Sequence, residues 1–204
     1  MIKPYYQDDY VTLYHGDCRD ILPHLEPVDL VLTDPPYGIG NFVQITGNKR
    51  GERVTWNEKG LESDIFALLI NKSKHQIIWG SNYFNSFNGK GGAIVWIKNQ
   101  PMPNFSKADI ASCSFYKKVE IVTITWTNFV NTKATKHPCE RPVDLYEWCI
   151  DYAPSPQTML DCFAGSGSSL IAARNKKIKV IGIEQSEEYC QMIVKRLRQE
   201  VLPL

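Results

Sequence analysis

The fold of this chain is decided by residues 159–170, MLDCFAGSGSSL, together with the stretch VIGIE at 180–184. The apolar start of the first stretch predicts a buried strand. The Gly-Ser-Gly segment at 165–167 then predicts a tight turn, in which the missing side chains let the backbone approach a ligand closely. A helix follows the turn, and residues 180–184 predict a second strand. This order of strand, helix and strand is typical of a parallel sheet with helices packed on it.

The spacing of the same unit indicates a bound nucleoside. Glu184 ends the second strand, and an acid within about twenty residues of a glycine-rich turn commonly reaches the ribose hydroxyls. A dinucleotide fingerprint would place a third glycine where Leu170 stands. The helix therefore need not approach a pyrophosphate, which argues against NAD. The alternative is a glycine turn that has only a structural role.

Apolar runs rich in strand-forming residues alternate with helical patterns along the rest of the chain, and no internal repeat is visible. The predicted strands are Tyr10–His15, Val28–Thr33, Gln76–Gly80, Ala93–Lys98, Glu120–Trp126, Met159–Phe163 and Lys179–Glu184. The predicted helices are Leu61–Lys72, Pro142–Tyr152, Ser169–Asn175 and Glu187–Glu200. Alternating strands and helices favour an α/β fold with a doubly wound, mostly parallel, seven-stranded sheet. We expect a single domain over residues 1–204.

Composition narrows the class of protein without naming it. The chain has 204 residues, 43% hydrophobic and 22% charged, with a formal net charge of +1. This charge neither requires nor excludes a nucleic-acid partner, because binding depends on local basic patches. The six cysteines include no C-x-x-C pair and fit no zinc spacing, so no metal is expected. With no signal-like segment at residues 1–9 and no apolar run long enough to span a bilayer, we predict a cytoplasmic protein without a membrane partner.

A second decisive stretch is the strand Val28–Thr33, which ends abruptly in Asp34-Pro35-Pro36-Tyr37. Two successive prolines cannot continue a strand, so the turn is rigid and exposed at the carboxyl end of the strand, where α/β sheets bind ligands. The Asp34 carboxylate and the Pro35 carbonyl offer two acceptors, and Tyr37 offers a flat face. An aromatic exocyclic amine needs those three features to turn its lone pair towards a methyl donor. The alternative is a structural Pro-Pro turn with a solvated aspartate.

The two stretches together resemble the amino-methyltransferases of DNA, in the permuted order of the β class. In that family a D-P-P-Y motif comes first, and an F-x-G-x-G motif that binds S-adenosylmethionine (AdoMet) comes near the C-terminus. Here Asp34–Tyr37 precedes Phe163–Gly167 by more than a hundred residues. His137–Pro142 is similar to the family's H-P-x-Q-K-P motif, with Glu140 and Arg141 in place of Gln and Lys. The resemblance implies a circularly permuted, Rossmann-like methyltransferase fold, with AdoMet as cofactor.

The resemblance also implies a role for individual residues. Asp34, Pro35, Pro36 and Tyr37 would form the catalytic turn that holds a flipped-out base. Glu184 would hold the ribose of AdoMet, Asp17 its adenine, and His137 and Arg141 its methionine end. The full set of cofactor-binding residues implied is Asp17, His137, Arg141, Asp161, Phe163, Gly165, Gly167, Ser168 and Glu184.

DNA is the implied partner, and its contacts are sought in polar, basic stretches. The candidate DNA-binding residues are Lys49, Arg50, Arg53, Trp56, Lys133 and Lys136. Short target-recognition loops are expected within 39–60 and 99–118, because the large recognition insert of many family members is absent. A dimer, common in this family, would be another way to complete recognition. Residues 82–84 follow a strand end and are candidates for lining the pocket.

The implied reaction is methylation of adenine at N6, because the cytosine-N4 enzymes of the family more often begin the motif with serine than with aspartate. Cytosine-N4 methylation of DNA, adenine-N6 methylation of RNA and methylation of a protein glutamine amide are the alternatives within the same chemistry. A protein that binds AdoMet or DNA without catalysis is the alternative outside it. The intact motifs Asp34–Tyr37 and Gly165–Gly167 argue against that last reading.

Overall fold

The computed structural model describes residues 2–39, 63–84, 91–99, 106–126 and 140–199, which contribute nine strands to one sheet. The strands are β1 Tyr6–Gln7, β2 Val11–His15, β3 Val28–Thr33, β4 Ser73–Trp79, β5 Gly92–Ile97, β6 Ala108–Cys113, β7 Val119–Thr123, β8 Thr158–Asp161 and β9 Lys179–Glu184. The α-helices are α1 Cys18–Ile21, α2 Ser63–Asn71, α3 Val143–Tyr152, α4 Ser168–Asn175 and α5 Glu187–Gln199, and a 3₁₀ turn spans Leu22–His24.

The sheet is mixed but mostly parallel, in the order β1-β2-β9-β8-β3-β4-β6-β5-β7. Five pairings are parallel, namely β2–β9, β9–β8, β8–β3, β3–β4 and β5–β7. The antiparallel pairings are β1–β2, β4–β6 and β5–β6. The carboxyl ends of β2, β9, β8, β3 and β4 therefore meet at one edge of the sheet, and the amino end of the reversed strand β6 joins them there.

Helices cover both faces of the sheet, as the alternating pattern predicts. One core cluster contains Leu145 of α3, Leu170 of α4 and Ile193 of α5. The other contains Ile21 of α1 and Leu69 of α2. The predicted doubly wound α/β fold is confirmed.

The predicted number of seven strands is wrong, since the described residues form nine. β1 has only two residues, too few to show a periodic pattern. β6 reads Ala-Asp-Ile-Ala-Ser-Cys, whose small and polar residues are poor strand formers. It is held by β4 on one side and β5 on the other. Part of the range 99–118, expected to supply a recognition loop, is therefore a strand inside the sheet.

In the part of the chain that the structure describes, no helix has the length and apolar character needed to cross a membrane. No group of three or more His, Cys, Asp or Glu side chains there is arranged to hold a metal ion.

Candidate active site

The residues Asp34–Tyr37, named here the DPPY turn, leave the end of β3 at the sheet edge where the strand ends meet. Gly38 follows with a φ of 69°, a left-handed conformation that glycine adopts without steric cost. Thr33, the last residue of β3, is fully buried and donates its hydroxyl to Asp161 Oδ1 at 2.6 Å. The turn is therefore anchored to the neighbouring strand β8 at its base.

The Asp34 carboxylate already has three donors. Tyr37 donates its hydroxyl to Asp34 Oδ1 at 2.6 Å. Arg141 donates from Nε to Oδ2 at 2.7 Å and from Nη2 to Oδ1 at 2.8 Å, which makes a bidentate pair. A carboxylate has about four lone-pair positions, so the contacts among the described residues leave one acceptor position open, on Oδ2.

Arg141 is the centre of a charged cluster under the DPPY turn. Its side chain is only 6% exposed, and its Nη1 donates to Asp109 Oδ2 at 2.5 Å. Its Nη2 also donates to the Tyr37 hydroxyl. The guanidinium lies over the indole rings of Trp79 and Trp96, with its central carbon 4.9 and 5.5 Å from the ring centroids. The resemblance assigned this arginine to the methionine end of the cofactor; in the structure its guanidinium lies on the DPPY turn.

The charges in this cluster balance. Lys98, just after β5, lies 2.8 Å from the other oxygen of Asp109. Burial raises the pKa of Asp109, but Arg141 and Lys98 outweigh it and hold that pKa below its usual value. Burial works against the charged form of Arg141, yet Asp34, the nearby Tyr37 hydroxyl and Asp109 keep its pKa well above normal. The cluster thus carries two carboxylates and two cations in a largely buried setting.

The Tyr37 ring packs within an aromatic group. It stacks on Tyr83 with 4.8 Å between ring centroids and an interplanar angle of 19°, and it meets the edge of Phe84 at 5.8 Å. Gly80 makes this arrangement possible, because a Cβ added there would lie 2.1 Å from Tyr37 Cε1. Burial raises the pKa of the Tyr37 phenol well above its ordinary value, so its hydroxyl keeps the proton that it donates to Asp34.

The glycine loop, defined as Phe163–Gly167, joins β8 to α4 at the same edge. Gly165 and Gly167 have φ values of 52° and 84°, and a Cβ on Gly167 would lie 2.9 Å from Ile193. The Gly165 amide donates to Glu184 Oε2 at 2.8 Å, and the Ser186 amide donates to Oε1 at 2.8 Å. Burial raises the pKa of Glu184, and the two amides act against that shift. The predicted acid therefore lies directly against the predicted loop.

Asp161 connects the glycine loop to the DPPY turn. Its side chain is 1% exposed and accepts from the Thr33 hydroxyl, from the Phe163 amide at 3.0 Å and from the Ser169 hydroxyl. Burial raises its pKa, although these donors oppose the shift. Ser168, also predicted to bind cofactor, is 3% exposed and contacts Glu140 at 3.3 Å. Both residues thus hold the loop in shape from the inside.

Asp17 lies at the end of β2, beside the strand that carries Glu184. The Gly16 amide donates to the Glu184 carbonyl at 3.0 Å. The Asp17 carboxylate caps α1 by accepting from the Arg19 amide at 2.9 Å, and it pairs with the Arg19 guanidinium at 2.6 Å. The side-chain hydrogen bond from Arg19 is the main reason that the pKa of Asp17 is lowered. Asp17 therefore stays ionised at the rim of the site.

Several predicted residues lie outside the described residues. They are Lys49, Arg50, Arg53, Trp56, Lys133, Lys136 and His137. Conversely, the structure brings Asp109 and Lys98 to the site, which no motif indicated. Tyr83, 44% exposed, belongs to the segment 82–84 that was a candidate for pocket lining.

The chain is similar to several known DNA methyltransferases. Residues 116–195 match the model of a family described as DNA methylase. The type II methyltransferase M2.LlaDCHI of Lactococcus lactis subsp. cremoris is 26% identical over 256 aligned positions, which cover 97% of this chain and 93% of that protein. The crystal structure of the M1.HpyAVI–SAM complex is 26% identical, with a TM-score of 0.62, and the match covers 91% of this chain and 99% of that one.

A further solved structure, the PvuII DNA methyltransferase (cytosine-N4-specific), has a TM-score of 0.69 at 18% identity, over 98% of this chain and 91% of its own. At that identity the likeness concerns the fold alone. The fold is a Rossmann-like methyltransferase fold, and the similarities together support a DNA methyltransferase.

Proposed function

We propose that this chain transfers a methyl group from AdoMet to the exocyclic N6 of adenine in DNA, at a specific site, by direct in-line attack of a flipped-out base. One observation carries the proposal. Asp161 accepts hydrogen bonds both from Thr33, at the base of the DPPY turn, and from Phe163, in the glycine loop. A turn suited to an aromatic amine and a loop suited to a nucleoside are thereby held side by side.

The glycine loop fits AdoMet. At Gly165 and Gly167, both in left-handed conformations, no side chain keeps a ligand away from the backbone. The Glu184 carboxylate, at the end of the neighbouring strand, is suited to accept hydrogen bonds from ribose hydroxyls. Glu184 and Asp17 would hold the nucleoside, and Phe163 would pack against it. Bound AdoMet supplies an electrophilic methyl group. Its presence in the complex of the similar protein M1.HpyAVI agrees with this choice.

The DPPY turn would hold the substrate amine. The base must leave the duplex, because its amine is inaccessible inside the stack. The remaining acceptor position on Asp34 Oδ2 would take one amine hydrogen, and the Pro35 carbonyl would take the other. Accepting both hydrogens localises the lone pair on nitrogen, and the fixed turn supplies this arrangement without reorganisation. Tyr37, stacked on Tyr83, would present the aromatic surface that receives the base.

Adenine is proposed over cytosine because the motif begins with aspartate, as in the adenine enzymes of the family that it resembles. The type II relatives also suggest a restriction–modification role. We propose that residues 1–204 act as one catalytic domain, with recognition drawn from parts of 39–60 and 99–118 and from the basic residues named above. A second copy of the chain is proposed to complete the DNA-binding surface.

The test is methyl transfer from labelled AdoMet to unmethylated genomic DNA, with nucleosides identified by mass spectrometry. We expect N6-methyladenine, and a loss of roughly a hundredfold or more in Asp34→Asn, since this removes a preorganised charge at the reacting amine. Asp151→Asn is the matched control, because that carboxylate is 60% exposed on α3. N4-methylcytosine would overturn the base assignment alone. No methylated nucleoside would overturn the DNA substrate, and no AdoMet binding in calorimetry would overturn the enzyme assignment.

A further inference from the structure

The cluster under the DPPY turn has a geometry that only an arginine can satisfy. Three guanidinium nitrogens of Arg141 reach separate groups: Nε and Nη2 reach the two oxygens of Asp34, and Nη1 reaches Asp109. A lysine would offer a single charged nitrogen, which cannot span these positions with fixed geometry. The H-P-x-Q-K-P motif that residues 137–142 resemble usually has lysine at this position, where the present chain has Arg141.

The position of the cluster in the fold points to a role beyond stability. Burying an arginine costs a large desolvation free energy, and ion pairs of this kind are often replaceable by apolar side chains without loss of stability. Here Trp79 and Trp96 already form an apolar floor below the guanidinium. The charged group is nevertheless present, with its fork directed at the one carboxylate of the DPPY turn.

The bidentate pair fixes the orientation of that carboxylate. Two parallel hydrogen bonds hold the plane of the Asp34 carboxylate, and the Tyr37 hydroxyl occupies a further position on Oδ1. The open acceptor position on Oδ2 is thereby fixed in direction. Asp109 in turn fixes the guanidinium from the opposite side, and Lys98 fixes Asp109.

We infer that Arg141 is a positioning residue for methyl transfer: together with Asp109 it orients Asp34 so that its open oxygen meets the substrate amine. This inference rests on the proposed function, because it acts through Asp34. It replaces the assignment of Arg141 to the methionine end of the cofactor. Arg141 therefore affects turnover at saturating AdoMet and leaves the affinity for AdoMet nearly unchanged.

The test separates turnover from cofactor affinity in three variants, Arg141→Lys, Arg141→Met and Asp109→Asn. AdoMet affinity is measured by calorimetry, and kcat and KM for DNA are measured at saturating AdoMet. We expect kcat to fall roughly ten- to hundredfold in Arg141→Met, as for the loss of a charge-assisted hydrogen-bonded pair, with partial rescue in Arg141→Lys. Asp109→Asn should lower kcat by a smaller factor. Arg198→Lys, an exposed arginine of α5, is the control and should behave like the unmodified protein.

The possible outcomes are distinct. A loss of AdoMet affinity of tenfold or more, with kcat preserved at saturation, would overturn the inference and return Arg141 to the methionine end. Unchanged kcat and affinity in all three variants would also overturn it. Absence of methyl transfer by the unmodified protein would overturn the proposed function, and the inference with it. If Arg141→Met does not fold in a thermal melt, Asp109→Asn decides the question, since it keeps the guanidinium and changes one partner.

Discussion

Gly80 is the residue whose replacement tests the architecture of the DPPY turn most directly. It follows β4 with a φ of +77°, and a Cβ built there would lie 2.1, 2.5 and 2.8 Å from three atoms of the Tyr37 ring. Gly80→Ala therefore forces an alanine into a left-handed conformation and also pushes on a ring that is stacked on Tyr83. Gly91 provides a matched control, with a φ of +72° and, in the part of the chain that the structure describes, nothing within 4 Å of the added Cβ.

Both replacements force an alanine into a left-handed backbone conformation, and only Gly80→Ala also places a Cβ against the Tyr37 ring. A left-handed conformation costs an alanine about 1–2 kcal/mol. Forcing extra atoms into a packed site costs about 1–3 kcal/mol more. We expect Gly91→Ala to lower the free energy of unfolding by about 1–2 kcal/mol, and Gly80→Ala by about 2–5 kcal/mol. The difference between the two isolates the contact with Tyr37.

Urea unfolding of both variants measures the difference, provided that the slope with denaturant stays unchanged. Methyl transfer should fall by more than roughly tenfold in Gly80→Ala alone, because a displaced Tyr37 loses its hydrogen bond to Asp34. Equal destabilisation of the two variants would refute the proposed clash. Full methyl transfer by a destabilised Gly80→Ala would show that the position of Tyr37 does not matter for the reaction.

Three other predictions follow from single contacts. The hydrogen bond from Lys74 holds the pKa of Asp29 below its usual range despite burial. The stability that this hydrogen bond adds is present above the unfolded pKa of about 4 and is lost as pH falls through the folded pKa. In Asp29→Asn, the free energy of unfolding should therefore fall less steeply as the pH is lowered below about 4. Glu140→Gln should cost about 1–3 kcal/mol in urea unfolding, because Arg196 loses a carboxylate that lies 2.7 Å away and is 7% exposed. Tyr83→Ala should weaken DNA binding by about 1–3 kcal/mol in fluorescence anisotropy without changing AdoMet affinity, since exposed rings stack on bases.

Each of these predictions has a control variant or an outcome that would contradict it. Asp151→Asn breaks an exposed ion pair and should change stability by less than about 1 kcal/mol, so a loss equal to that of Glu140→Gln would contradict the argument from burial. If the free energy of unfolding falls equally steeply at low pH in Asp29→Asn and in the unmodified protein, Asp29 is not a source of the loss of stability in acid. Tyr83→Phe keeps the ring and should bind DNA normally, and weakened binding there would point to the hydroxyl instead of stacking.

The regular part of the fold could be predicted because its strands are buried on both faces. β3 and β9 match the predicted bounds, since each is a short, mostly apolar run that ends at a polar residue. β6 was not predicted because its neighbours β4 and β5 hold it in place, and its own residues show no sustained alternation of apolar and polar positions. Pairing with the neighbouring strands thus determines the conformation of β6, which the local residue pattern does not predict.

The site divides in the same way. Sequence alone could place Asp34 after one strand and Glu184 after another, because motifs fix short spacings. It could not show that Arg141 reaches Asp34 from 107 positions away, or that Asp109 meets Arg141 across 32. Contacts between residues so far apart in sequence depend on the strand order and on the antiparallel direction of β6. Neither can be derived from one amino-acid sequence.

The position of Leu170 changes one step of the sequence argument. A third glycine in dinucleotide folds permits close packing of helix on strand, and its absence here argued against NAD. In the structure α4 packs closely on β9 all the same, because the strand supplies the small residue. A Cβ on Gly182 would lie 2.7 Å from Leu170 Cδ1, and Leu170 is fully buried. Gly182 of β9 thus takes the place of the missing helix glycine in the packing of α4 on the strand. The absence of a glycine at position 170 is therefore only weak evidence against a bound dinucleotide. The case for AdoMet over a dinucleotide therefore draws also on the DPPY turn, which Asp161 holds beside the glycine loop and which a nicotinamide cofactor would not need.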